Sequence, residues 1–293
     1  MTLRPPHPES ARAAAPAPNR TTLGDVGAPR HAVVLAPVMP RWDHGAFFRQ
    51  VAEPLLAAGH RITIHDTLSL LREGDDLKAL VGRWERYLAP DHDGPRGSGT
   101  EVDSCRQPSA AAPDVLVGNA LGGAVVQALL AHEWTHRTRV LLLSGPTVAD
   151  GELNAKLERI AAAVSAQGLP SAVRLLDEVV RGPGRQPGPV APPSVADRSQ
   201  LSDSDEKLAE WRLSAGLRLL HDADVREPVR DFPGALLHVY GEQSLLVQRK
   251  HLATGTRPRH HLVGVPQAGM RPHADRPALT RDTITRFLGA EES

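Results

Sequence analysis

The segment PDVLVGNALGGAVVQALLAHE, residues 113–133, joins an apolar run of β type to an apolar helical run through a glycine-punctuated turn. A strand that bends sharply into a helix through Gly118, Asn119, Ala120, Leu121, Gly122 and Gly123 has the layout of a nucleophile elbow. In the pattern G-x-S-x-G, small residues leave room for a corner residue in a strained backbone conformation that lifts a hydroxyl above the sheet. Here the glycines are in place and the corner residue is Ala120, which has no nucleophile. A phosphate-binding turn would need G-x-G-x-x-G and an acid-ended strand to hold a ribose. The spacing is G-x-x-x-G-G and no such strand is evident, so dinucleotide binding is not expected; no cofactor is expected elsewhere in the chain either.

The flanking segments predict the scaffold for that corner. Residues 31–37 (HAVVLAP) have the length and β-branched content of a buried parallel strand. Residues 46–58 follow with helical spacing and stop at Gly59, and 61–65 (RITIH) alternate as a strand. Residues 77–88 form an amphipathic helical pattern, and 89–113 read as a Pro-, Gly- and Ser-rich surface loop. Strand 114–117, helix 122–132 and strand 139–144 complete a β-α-β-α-β-α-β order, which implies parallel strands with helical crossovers. Helical patterns then replace strand signals at 153–166, 172–180 and 207–220, and strands return at 235–240 and 260–265 before a last helix at 277–288. The organisation expected is a disordered arm over 1–30, an α/β core over 31–149, a helical cap over 150–230 and the rest of the core over 231–293. Residues 182–200, rich in Pro and Gly, are expected to be irregular and mobile.

Three segments together resemble the α/β-hydrolase family. The corner is similar to that family's G-H-S-L-G-G elbow, with Asn119 and Ala120 in its second and third places. PGALLHVYGEQSLLV resembles the acid-bearing strand and turn, G-x-x-D, with Ser244 in the acid's place. VGVPQAGMRPHADRPALTRDTITRFL resembles the histidine loop and terminal helix, with Met270 where the histidine belongs. Over about residues 31–288, in pattern more than identity, the resemblance implies a mostly parallel sheet flanked by helices, a helical cap, and a catalytic triad replaced at all three positions. Met270 cannot take a proton and Ser244 cannot orient an imidazolium. Loss of one triad member costs roughly four to six powers of ten in rate, so hydrolysis by the usual covalent route is not expected.

Backbone donors survive such replacements. The N–H of Leu121 would supply half of an oxyanion hole, and Val38 or Met39, in APVMP, the other half. One such donor is worth roughly a hundred- to thousandfold in rate. Trp42, His44, Asn119, Ser144, Glu242, Ser244 and Met270 are further candidates to line the cleft. Of these His44 reads first as a solvated residue near a helix start and Trp42 as packing, while His273 in RPHADRP reads as a loop brace ahead of a base. Asp150 reads as a helix cap, and His260 and His261 alternate to opposite faces of a strand, so no metal site is expected.

The bulk numbers narrow the function classes. A chain of 293 residues suits one α/β domain with an inserted cap, and 34 basic against 34 acidic residues leave no electrostatic footprint for nucleic acid or an anionic membrane. A small apolar ligand or substrate is the expected partner, and association into a homo-oligomer stays open. The single cysteine, Cys105, can form no internal disulfide, and the first thirty residues lack an apolar signal-type run. The longest apolar stretch, 115–131, is broken by Asn119, Gln127 and glycines, so no membrane span and a cytoplasmic location are expected. Three functions compete: a cofactor-independent cyclase, isomerase or lyase on a small, polyketide-like metabolite; a non-catalytic ligand-binding or regulatory pseudoenzyme; and a hydrolase with relocated groups, pairing Ser144 or Ser244 with His273.

Overall fold

A computed structural model of the chain describes residues 17–90, 111–181, 202–253 and 255–290. The expected loop around Cys105, the Pro- and Gly-rich segment at 182–200, and most of the expected N-terminal arm lie outside these residues. The strands are β1 (Arg20–Leu23), β2 (Arg30–Leu35), β3 (His60–His65), β4 (Val115–Asn119), β5 (Arg139–Leu143), β6 (Leu236–Gly241) and β7 (His260–Val265). They form one sheet in the order β1-β3-β2-β4-β5-β6-β7, parallel except for β1, which runs antiparallel to β3.

Alternation along each strand divides the core between two faces. Val33, Leu35, Leu116, Val140 and Leu142 point to the side covered by α2 (Leu77–Leu88) and α3 (Leu121–Leu129). Ala32, Val34, Val117, Leu141 and Leu143 point to the side covered by α1 (Arg49–Ala57) and the C-terminal helix. Burial on both faces explains why these strands read as continuous apolar runs. The predicted helix at 46–58 begins as a single 3-10 turn, Ala46–Phe48, before α1.

Two expectations change. Residues 20–23, assigned to the arm, are a strand whose side chains alternate between exposed and half-buried. Its stability comes from backbone pairing on an edge, so the sequence carries only the β-branched Thr21 and Thr22 as a signal. The cap ends earlier than residue 230. It comprises α4 (Gly151–Gln167), α5 (Leu169–Arg181) and α6 (Asp203–Arg218), while α7 (Arg226–Asp231) packs on α3 at the sheet. A neck closes the insertion: Ala149 N donates to Ala223 O at 2.8 Å and Val225 N to Thr147 O at 2.8 Å. Asp150 caps α4 by accepting from Leu153 N at 2.8 Å, as its position implied. The chain ends with α8 (Pro272–Asp275) and α9 (Pro277–Gly289), whose Ile284 and Leu288 fill the second face.

One buried ion pair fastens the cap to the core. Arg212 of α6 donates to both carboxylate oxygens of Asp66, at 2.7 and 2.9 Å, just beyond β3. The same guanidinium reaches Pro40 O at 3.2 Å and Met39 O at 3.4 Å. Asp66 also takes the amide of Asn19 at 3.3 Å, so the edge strand, the loop after β2 and the cap meet at one carboxylate. Removing one partner of a buried pair typically costs about 3–5 kcal/mol, because the other charge is left without compensation. We therefore expect Arg212→Met to lower stability in urea unfolding by about 3 kcal/mol, with part of the loss recovered by adding Asp66→Asn.

His238 lies in the middle of β6 with no exposed surface, and neither ring nitrogen has a hydrogen-bond partner. Burial, aided by Arg249, lowers its pKa to about 3, with the nearby Gly145 carbonyl opposing. The unfolded chain takes up a proton near pH 6.5, while the folded chain resists until about pH 3. Stability from this site is thus complete above about pH 6.5 and is lost as pH falls below it. The melting temperature is expected to drop between pH 7 and pH 5, and His238→Leu should shrink that drop. An unchanged pH slope in the variant would contradict this assignment.

Candidate functional site

The corner at Ala120 is where the fold and the site meet. β4 ends at Asn119, Ala120 adopts φ 47° and ψ −114°, and α3 starts at the next residue. Side chains rarely tolerate positive φ, and the conformation persists here because neighbouring groups fix it. Ala120 N donates to Leu143 O at 3.2 Å, Asn119 Nδ2 donates to the same carbonyl at 2.8 Å, and Ala124 N donates to Ala120 O at 3.0 Å. The turn leaves no room for side chains on its glycines. A Cβ on Gly118 would meet Gly122 O at 2.5 Å, and one on Gly122 would meet Leu35 O at 2.1 Å. Gln127 braces the far side of α3, donating to Gly123 O at 3.1 Å and Pro146 O at 3.1 Å while accepting from Thr147 Oγ1 at 2.6 Å.

Over this corner lies a cavity of about 120 Å³ between sheet and cap. Its floor is Asn119 and Ala120, and Pro37, Val38 and Met39 form one wall. Leu153 and Leu157 of α4, Leu176 and Val180 of α5, and Leu217 of α6 form the roof. Leu246, Val247, Met270, Phe47 and Arg271 close the remaining sides. Of the expected site residues, Val38, Met39, Asn119, Ala120 and Met270 therefore come together. Leu121 buries its side chain in the core, and its N–H sits in the first turn of α3, where no intrahelical acceptor exists.

The other expected residues stand away from the cavity lining. His44, at φ 55°, is exposed in the turn before the 3-10 helix, as its solvated reading implied. Trp42 is half-buried and packs on the second core face, with its ring 6.4 Å from that of His44. Glu242 is exposed because it leaves the sheet at the end of β6. Ser144 and Ser244 are buried, and neither hydroxyl has a hydrogen-bond partner, so neither is coupled to an imidazole. His273 is buried behind the cavity wall, its ring 4.8 Å from Phe47 and its Nδ1 without a partner. Burial, aided by Arg271, lowers its pKa to about 4, which leaves it neutral at physiological pH. The His273 ring meets Phe47 edge to face.

Sequence reasoning missed Phe47, Arg271 and the aliphatic roof. The roof residues carry only the apolar periodicity of the cap helices, which does not say what they face. Arg271 adjoins the expected Met270 and could have been included on that ground alone. The His260 and His261 side chains do diverge, His260 being buried and His261 exposed.

No protein-family model and no curated protein sequence matches this chain. Solved structures do. MGS-M2, an α/β hydrolase enzyme from a Medee basin deep-sea metagenome library, aligns at TM-score 0.64 and 13% identity, covering 92% of this chain and 94% of its own. A bromoperoxidase from Bacillus anthracis aligns at TM-score 0.59 and 15% identity, covering 92% and 94%. Homoserine O-acetyltransferase from Staphylococcus aureus aligns at TM-score 0.61 and 14% identity, covering 90% and 88%. The chain has the α/β-hydrolase fold, as its three segments implied. Among the described residues no helix is long and apolar enough to cross a membrane.

Positive φ at a non-glycine residue costs about 1–3 kcal/mol. Replacement by glycine loosens the unfolded chain at a cost of about 0.4–1 kcal/mol and gives up one methyl contact, so relief of strain wins. Ala120→Gly is expected to be about 1 kcal/mol more stable than the parent in urea unfolding.

Proposed function

We propose that this chain is an α/β-hydrolase-fold protein without the Ser-His-acid triad, and that the cavity over Ala120 receives a small, largely apolar molecule. The observation that carries this reading is the methyl of Ala120 at the strained corner, facing a cavity walled by aliphatic side chains. Arg271 is the only ionisable group lining it among the described residues, so the lining holds no base for neutral pH. Chemistry compatible with such a lining is cofactor-independent and non-hydrolytic: a cyclisation, isomerisation or lyase step aided by shape and by backbone donors. The N–H of Leu121, with that of Val38 or Met39, would polarise a carbonyl, and Arg212 holds the Met39 loop from its carbonyl side. The substrate would be a small apolar metabolite of polyketide type.

A second reading, a non-catalytic ligand binder, draws support from the size of the cavity. About 120 Å³ is close to the ~150 Å³ of an apolar cavity that holds a single benzene. A hydrolase with relocated groups draws none, because Ser144 and Ser244 lack partners and His273 sits behind Phe47.

Ala120→Ser tests the first reading. With no base beside the new hydroxyl, p-nitrophenyl acetate should hydrolyse at the buffer rate with either parent or variant. Turnover by the parent that vanishes in Ser144→Ala or Ser244→Ala would overturn the reading.

A further inference from the structure

The cavity over Ala120 carries one charge on an otherwise uncharged, mostly apolar lining, and that charge is poorly matched. Arg271, immediately before α8, holds its guanidinium 5.5 Å from the centre of the Phe47 ring. Among the described residues its carboxylate neighbour is Asp177 of α5, at 3.8 Å, which is too long for a hydrogen bond. Asp177 is already engaged: its other oxygen accepts from Arg181 at 2.9 Å. Two guanidiniums thus share one carboxylate, and the group of three carries a net charge of about +1. Burial is the main influence on Arg271 and destabilises its charged form; Asp177 opposes this and Arg181 adds to it. About 38% of the side chain still reaches solvent, so a ligand group can approach it.

We propose that the molecule received by this cavity bears a single carboxylate, and that Arg271 reads it while the apolar part lies over Ala120. This inference rests on the reading that the cavity holds a ligand. A guanidinium fork matches a planar carboxylate in two parallel hydrogen bonds. A net charge near +1 neutralises a monoanion and leaves a phosphate dianion undercompensated. The volume sets the size of the apolar part at about a benzene ring. Arg271 therefore acts as a specificity determinant, and Asp177 as its competitor for the incoming anion.

Benzoate and its neutral counterpart benzyl alcohol separate the claims by isothermal titration of the full chain. A charge-assisted hydrogen bond predicts benzoate to bind roughly tenfold tighter or more. Arg271→Gln should abolish the preference, bringing the ratio of benzoate to benzyl alcohol affinity to about one whatever it does to the binding of benzyl alcohol itself. Asp177→Asn, which frees both guanidiniums, should tighten benzoate alone, and it serves as the test should Arg271→Gln fail to fold. Equal affinities in the parent, or a preference that survives in Arg271→Gln, would overturn the carboxylate assignment and leave the cavity reading standing. Binding of neither probe would overturn both.

Discussion

The close approach of α3 to the end of β2 is the constraint on which the rest depends. The Cα of Gly122 sits so near the Leu35 carbonyl that a Cβ would come within 2.1 Å of it, and Gly118 meets the same helix turn from the other side. That contact forces the chain to reverse over a single residue, and the residue left at the corner takes φ 47°. In this fold such a corner serves to raise a reactive side chain over the sheet. Here the backbone keeps the geometry and its strain, while the side chain it raises is a methyl group.

The cap gives that corner its surroundings. Its neck, between residues 147–149 and 223–225, is short and hydrogen-bonded, and Arg212 ties its third helix to Asp66 and to the loop carrying Val38 and Met39. The roof and one wall of the cavity are therefore set by the same ion pair. Arg271 comes from the loop that also presents Met270, whose N–H donates to Val180 O at 3.0 Å. The docked cap leaves a small, mostly apolar space over Ala120 with one cation in its lining.

Much of this was legible in the sequence, for identifiable reasons. Helix 77–88 was read from its amphipathic pattern, and α2 has those limits, with Asp76 capping its start. The glycine spacing at 118–123 predicted a strand-to-helix corner because only small residues fit there, and Ala120 stands at that corner. Strand β1 was not legible, since an edge strand held by backbone pairing needs no apolar run. Nor were the positions of Trp42, His44, Glu242, Ser144, Ser244 and His273 relative to the cavity. Nearness in sequence to a site element does not fix where a side chain points. Phe47, the cap leucines and Arg271 reach the cavity only through tertiary packing, which periodicity does not encode.

The central claim, that the corner raises no nucleophile and no other serine has taken its place, is tested most directly by intact-mass analysis after incubation with a fluorophosphonate, which marks activated serines covalently. The account predicts an unchanged mass under conditions that label a serine hydrolase fully. A stoichiometric adduct, mapped by peptide sequencing to Ser144, Ser244 or any other serine, would contradict it.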